Sequence, residues 1–436
     1  MRESSVRGTG VISALCAALF VLAAASPAAG ASFVVNNAND AAADGCTTAP
    51  LGCTLRDAIT DANANASLVD DDITFTVTGS ISLASSLPTI TTPTRIRGPG
   101  ASSLDVRGDA MTSPILSVNS TAGTVTLENL TLSGARATAF AGGAISMGGG
   151  TLFLDSVVLS DNQAGQGGAI FYDHGLTVIM NSTLTGNSAV FGAGAIRGSS
   201  FGMDPAGLGR LINSTVTGNS SKEFGGAINI SNGATLTVLS STITGNTANS
   251  DNNVSGDGGG IYNNLSTVNI ANTILAANIV GSGAPSNNGQ CGGNAYTSLG
   301  HNLRSVADPN CTGFNATGDV VNPSPLLGSL GMNGGPTPTI PLLAGSPAID
   351  TGDPSALDGL PPACPGTDQR ALPRGGGAGQ CDIGAFEVQP TLPTTPGVGT
   401  TTPFDLQAAI KKCKKKFRKG PKRKKCIKRA KQRAQA

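Results

Sequence analysis

Asp173, His174 and Arg197 are the residues of this 436-residue chain whose types and spacing come nearest to a reaction centre. Ile170 stands just before the first two and Ile196 just before the third, each closing a Gly-Ala-Ile phrase. Side chains alternate between faces along a strand. The residue after each inward isoleucine, and the third after it, therefore share one outer face. The first column is Phe171, Arg197, Asn229 and Tyr262; beside it run Asp173, Ser199, Ser231 and Asn264. Asp173 and Arg197 are expected diagonally across neighbouring windings, with His174 close by. Phe171 and Tyr262 would stack on sugar rings while Arg197 and Asn229 bond their polar groups. Asp173, Arg197 and His174 are the candidates for acid/base work. A polysaccharide lyase needs a base near the C5 proton and several carboxylates for Ca²⁺, and a glycoside hydrolase needs two carboxylates about 5–9 Å apart. This face offers one. Asp155, Asp161, Glu223, Asp251 and Asp257 fall in other columns, and an ordinary surface ion pair explains Asp173 and Arg197 equally well. No catalytic residue is assigned, and the enzyme question leans towards no. Asp251 and Asp257 form a poor pair for Ca²⁺; no metal site or other cofactor is expected.

The elements that position these residues come from a repeat. Thr/Ser-Asn phrases end at Asn162, Asn187, Asn219, Asn246 and Asn278, spaced by 25, 32, 27 and 32 residues. Between them stand Gly-rich phrases ending at Ile145, Ile170, Ile196, Ile228 and Ile261. Short β-like phrases at a variable period predict an all-β, right-handed single-stranded parallel β-helix, a solenoid whose windings stack to bury a common core. Leu159, Leu184, Val216, Ile243 and Leu275 should form one inward file and the isoleucines another. The asparagines should form an amide ladder at a corner. Gly-Gly reads as a corner needing positive φ. Asn181, Asn213 and Asn219 also spell glycosylation acceptors, a spelling the repeat itself produces.

Composition agrees. Glycine supplies 60 residues, charged residues 13% and aromatics 4%, with no Trp. That excludes a charged helical protein and favours strands and turns. The net charge of +1 conceals a segregation, because residues 411–436 hold 15 of the 28 Lys and Arg and no acid. They are Lys411, Lys412, Lys414, Lys415, Lys416, Arg418, Lys419, Lys422, Arg423, Lys424, Lys425, Lys428, Arg429, Lys431 and Arg433. Two short basic helices, 406–417 and 421–434, are expected there, broken at Gly420-Pro421. Such a tail binds polyanions by counterion release. A cell-wall or other anionic polymer is the expected partner, nucleic acid only a non-specific one.

Arg2 and Arg7, an apolar run over 11–25 and the small residues Ala29-Gly30-Ala31 read as a secretory signal peptide. No other run suits a membrane span. Export permits disulfides, and eight of the nine cysteines fall into local couples: Cys46/Cys53, Cys291/Cys311, Cys364/Cys381 and Cys413/Cys426. Zinc competes weakly, for no CxxC occurs and only two histidines do. Thr54 with Asp57 makes a capping box for a helix that would close the end of the solenoid. Strand-like segments follow at 73–77, 81–83 and 94–97.

Cys53–Ile59 resembles the CSLREA-type N-terminal segment of secreted bacterial β-helix proteins. Asn333-Gly334-Gly335-Pro336, Gly345-Ser346-Pro347-Ala348-Ile349-Asp350, Asp368-Gln369-Arg370 and Cys381-Asp382-Ile383-Gly384-Ala385-Phe386-Glu387 are similar to the choice-of-anchor Q region. The Gly-Gly-Ala-Ile phrases resemble polymorphic outer-membrane protein repeats. The resemblance implies a β-helix on or outside a bacterial cell and no particular activity. The expected layout is a signal at 1–31, an N-terminal cap at 32–66, coils at 67–322, further coils and the choice-of-anchor-Q-like region at 323–388, a Pro/Thr linker at 389–403 and a basic hairpin at 404–436. The function expected is non-enzymatic adhesion, display or glycan binding at the cell surface or outside the cell. The alternative is a polysaccharide lyase or glycoside hydrolase working along the β-helix face.

Overall fold

The computed structural model describes residues 30–41, 44–46, 52–65, 69–109, 111–119, 123–138, 142–200, 207–253, 256–281, 289–353, 364–375, 380–390, 406–417 and 420–433. The expected signal segment falls almost wholly outside these residues, as does most of the 389–403 linker. Two compact units divide the chain, Met1–Val388 and Gln389–Ala436.

The first unit is a right-handed parallel β-helix of four sheets. Sheet I has ten strands, from Ser32–Val35 to Thr297–Gly300, and sheet II ten, from Gly79–Ser82 to Val320–Val321. Sheet III has seven, between Leu116–Val118 and Cys291–Gly293, and sheet IV five two-residue strands between Gln163–Ala164 and Ile279–Val280. One winding runs through Ile170–Tyr172, Leu176–Met180, Thr183–Thr185 and Ser188–Ala189, then re-enters sheet III at Ile196–Gly198.

Both expected inward files are present. Leu159, Leu184, Val216, Ile243 and Leu275 pair in register and are fully buried. The isoleucine file does the same and extends to Leu116 at one end and Cys291 at the other. Burial of such side chains contributes about 1.5–3 kcal/mol each, which offsets the entropy of ordering so many turns.

The corners are held by polar files. Asn162, Asn187, Asn219 and Asn246 each donate through Nδ2 to Oδ1 of the next asparagine at 2.9–3.0 Å. The same oxygens accept a backbone N–H from the winding before. Gln290 ends the file, taking the Asn278 amide at 2.9 Å. A second corner carries hydroxyls that the sequence reading did not pick out. Ser182, Ser214, Ser241 and Thr273 each accept a backbone N–H from the preceding winding. The residues before them, Asn181, Asn213, Ser240 and Asn272, have φ of 45–54°. Asn213 bonds through both ends of its amide and Asn219 is buried, so neither presents a glycosylation acceptor.

The Gly-Gly expectation needs dividing in two. Gly167 and Gly225 do take positive φ, 56° and 71°. Gly168 is needed for closeness instead, since a Cβ there would lie 2.1 Å from the Gly194 carbonyl oxygen.

Helix α1 (Leu55–Asn65) packs on the first strands of sheet I. Its capping box closes reciprocally: Thr54 N donates to Asp57 Oδ2 at 2.9 Å and Asp57 N to Thr54 Oγ1 at 3.2 Å. Among the described residues of 323–388 the expected coils are not formed. Beyond Val321 the described residues of this unit add no strand; a strap doubles back along the outer face of sheet II. The outward row of sheet II explains this. Ile274 and Leu303 are apolar and pack with Leu342, Ala348, Ile383 and Phe386 of the strap, while Thr183, Thr215 and Thr242 offer hydroxyls to it. Four disulfides, Cys46–Cys53, Cys291–Cys311, Cys364–Cys381 and Cys413–Cys426, join the local couples.

Candidate functional site

Sheet III places Phe171, Arg197, Asn229 and Tyr262 in one register, on successive parallel strands. The column exists, but it is not an open face. Asn229 is only 2% exposed and the other three are half-buried. The second column is covered still more: Ser199 and Ser231 are buried, their hydroxyls 3.4 Å apart, and Asn232 Nδ2 donates to Ser199 Oγ at 3.0 Å. The following windings bring Asn232 and Gly207 over that column, which strand alternation alone does not predict.

Asp173 and Arg197 do not form the expected diagonal pair. Asp173 Oδ2 lies 3.4 Å from His174 Nδ1. Arg197 turns the opposite way, over the bare backbone of Gly192, where an added Cβ would stand 3.4 Å from Arg197 Cδ. Among the described residues Arg197 makes no hydrogen bond or ion pair, and its Nε is buried without an acceptor. Burial pushes its guanidinium below the ordinary value, with Tyr172 and Tyr262 opposing. Asn229 Oδ1 is likewise buried without a donor. Tyr262 stacks on Phe224, ring centroids 4.6 Å apart. Phe224 was missed; its signal was a lone aromatic immediately before Gly225-Gly226.

The remaining acids do not assemble a metal centre. Asp251 is exposed and Asp257 half-buried, its Oδ1 accepting from Gly258 N at 2.8 Å and Asn310 Nδ2 at 3.4 Å. Among the described residues no group of three or more His, Cys, Asp or Glu could hold a metal ion.

A denser set of charges lies in the strap. Arg370 Nε donates to Asp368 Oδ2 at 2.8 Å, and its guanidinium sits 3.5 Å over the Phe386 ring. The side chains of Arg374 and Glu387, each 1% exposed, approach to 3.4 Å. Burial raises the Asp382 carboxyl to about 6, assisted by the neighbouring Glu387 and Asp350 charges. Gln369 is fully buried; its Nε2 donates to Thr183 Oγ1 at 2.9 Å and its Oε1 accepts from Thr215 Oγ1 at 2.7 Å. Gln369 clasps the strap to sheet II, the charged groups brace the strap against itself, and their buried side chains are closed to a substrate.

In the second unit α2 (Leu406–Lys416) and α3 (Pro421–Arg433) form a hairpin tied by Cys413–Cys426. Lys411, Lys412, Lys414, Lys415 and Lys416 are exposed on α2, and Lys422, Lys424, Lys425, Lys428, Arg429 and Lys431 on α3, with Arg423 half-buried. Arg418 and Lys419 lie outside the described residues, as does the Arg433 side chain. A cleft of about 460 Å³ opens between Lys416, Phe417, Lys422, Lys425, Cys426 and Arg429. Its cationic lining suits an anion and offers no acid/base pair.

Parallel registers, inward files and amide ladder define the class: a parallel β-helix protein. No family model and no curated relative matches the chain, so the likeness to CSLREA-type and choice-of-anchor proteins stands on the quoted motifs alone. Among solved structures it is similar to pectate lyase Pel9A, at 11% identity and a TM-score of 0.43, over 83% of this chain and 97% of that one. The fold rests on the registers above, and no activity is transferred from that enzyme.

Proposed function

We propose that the protein is an exported β-helix scaffold for adhesion, display or glycan binding, held on an anionic envelope polymer by its C-terminal hairpin. The observation that carries this reading is charge segregation: fifteen cations and no acid in residues 411–436, on a disulfide-tied helical hairpin. Without internal counter-charges, these cations repel one another until an external polyanion neutralises them. Four disulfides suit an oxidising compartment outside the cytosol, and no described helix is long and apolar enough to cross a membrane. The signal-like segment and the CSLREA-type and choice-of-anchor-Q-like motifs point to the same address.

The lyase or hydrolase alternative has less to stand on. The described columns of sheet III carry one carboxylate, Asp173, engaged with His174, whereas such enzymes need two or more. A Ca²⁺ site at Asp251 and Asp257 would rest on two acids, against the about six to eight oxygens the ion takes.

Salt elution from isolated envelopes tests the attachment. If about six cations engage, log affinity should fall against log salt with a slope of about −4 to −5. Replacing Lys411, Lys412, Lys414, Lys415 and Lys416 by alanine should flatten that slope. Attachment unchanged between about 0.05 M and about 1 M salt defeats the proposal.

A further inference from the structure

Six acids are buried among the described residues, and five of them have both carboxylate oxygens bonded. Asp57, Asp308 and Asp382 accept from N–H and hydroxyl donors. Asp368 and Glu387 also hold Arg370 and Arg374. Asp71 is the exception. It is 0% exposed, its Oδ2 has no partner, and among the described residues no cationic side chain pairs with it. Burial strips water from this carboxylate and returns nothing to one of its oxygens, which is costly for an ionised group.

The other oxygen shows what stands nearby. Asp71 Oδ1 accepts from Ala31 N at 2.6 Å and from Asn65 Nδ2 at 2.7 Å. Asp71 opens the strand Asp71–Phe75, and Ala31 directly precedes the strand Ser32–Val35 that pairs with it. Ala31 O accepts from Asp72 N at 2.8 Å, so the residue is held from both sides. Asn65 is the last residue of α1, whose last turn has no basic side chain. A positive charge at this place would stand beside the helix end that favours one. Within a peptide bond, Ala31 N has a single proton to offer. As a free α-ammonium the same nitrogen has three and a charge, which is what Oδ2 lacks.

We infer that the chain is cut between Gly30 and Ala31 and that the new α-ammonium of Ala31 pairs with the buried Asp71 carboxylate. The cut is a hydrolysis by a peptidase of the kind that removes signal segments. The oxygen of water joins the Gly30 carbonyl carbon, which leaves as a carboxylate, and the two protons of water end on the Ala31 nitrogen. Ala28 and Gly30 then fill the two small positions before the cut, one residue earlier than the 1–31 boundary read from the sequence. Gly30 is exposed. The inference rests on the export reading and on nothing in the tail. Removal of the signal thus adds a buried ion pair at the capped end of the solenoid.

The test begins with the intact mass and N-terminal sequence of the protein exported by a secreting host. The chain should begin at Ala31. A chain starting at Gly30, released from a fusion by a protease, keeps the Ala31 amide and moves the charge one residue outward. Acetic anhydride should modify the Ala31 α-amine at least about tenfold more slowly than the Gly30 one, because one unit of pKa is a factor of ten. Asp71→Asn should lower the melting temperature by about 5 °C. The Gly30 start should lower it by a similar amount in wild type and by almost nothing in Asp71→Asn, because the pair is already lost. Should Asp71→Asn fail to fold, the sequenced terminus and the Gly30 start still decide. An exported chain that begins anywhere other than Ala31, or a Gly30 start that melts and reacts as the mature chain does, overturns the inference and leaves export standing. A chain that keeps residues 1–30 removes the export reading with it.

Discussion

Asn219 stands in the middle of the amide file, and its removal is the sharpest probe of the corner. Its Nδ2 donates to Leu184 O, Thr217 O and Asn246 Oδ1 at 2.9–3.1 Å. Its Oδ1 accepts from Asn187 N and Nδ2 at 2.9–3.0 Å. Asn219→Ala therefore leaves the Asn187 backbone N–H with no acceptor from the file. An orphaned buried amide costs about 1–3 kcal/mol, and each further hydrogen bond lost about 1 kcal/mol. Asn246 Oδ1 keeps the Asn219 backbone N–H and Asn187 Nδ2 keeps Leu159 O, which limits the damage. The expected loss is about 3–5 kcal/mol. Urea unfolding followed by far-UV circular dichroism reads it as a lower midpoint at unchanged slope. In a cycle with Asn246→Ala, the coupling should be about 1 kcal/mol, because the two share a bond. A loss under about 1 kcal/mol with no coupling would show that water replaces the amides and that the file does not hold the corner.

Two other perturbations separate causes that the fold combines. Gly168→Ala should cost about 3 kcal/mol or more in the same unfolding assay, because the new Cβ meets the Gly194 and Ser188 carbonyl oxygens at 2.1 and 2.5 Å. Gly245→Ala should cost about 1 kcal/mol, since φ is +65° but the surrounding space is open; Gly245→Asn should recover most of it, as Asp161 tolerates φ 56° at the equivalent corner. Asp382, raised to about 6, holds its proton more tightly folded than unfolded. Its stabilising contribution is complete below about pH 4 and is lost as pH rises through 6. Asp382→Asn should remove that fall, seen as a smaller difference in melting temperature between pH 4.5 and 7.5 than wild type shows.

What could be read in the sequence was whatever the repeat states several times. Leu184, Val216 and Ile243 occupy one place in successive phrases, and translation along the solenoid turns equal places into neighbours. Asn187 and Asn219 were legible for the same reason, and the Thr54/Asp57 box because its partners lie three residues apart. The strap was not legible. Gln369 meets Thr183 across 186 residues, and no periodicity encodes such a contact. Its motif residues read as a family label, whereas in the fold they are a buried clasp. The serine corner was hidden because Asn181-Ser182-Thr183 also spells a glycosylation site. Arg197 was placed in the correct column but paired with the wrong neighbour, because register fixes which strands adjoin and leaves the direction of a long side chain open.

A stack whose windings touch only the next one can fray from either end, one turn at a time. The strap changes that by crossing several windings lengthwise, bonding Gln369 to Thr183 and Ala385 to Thr242. Peeling the far end must then break buried bonds near the middle of the stack, so local fraying becomes an event of the whole body. During synthesis the same tie runs in reverse: the winding at Thr183 stays incomplete until the 186 residues that separate it from Gln369 have emerged, and the last-made part of the body decides when the earlier part is finished.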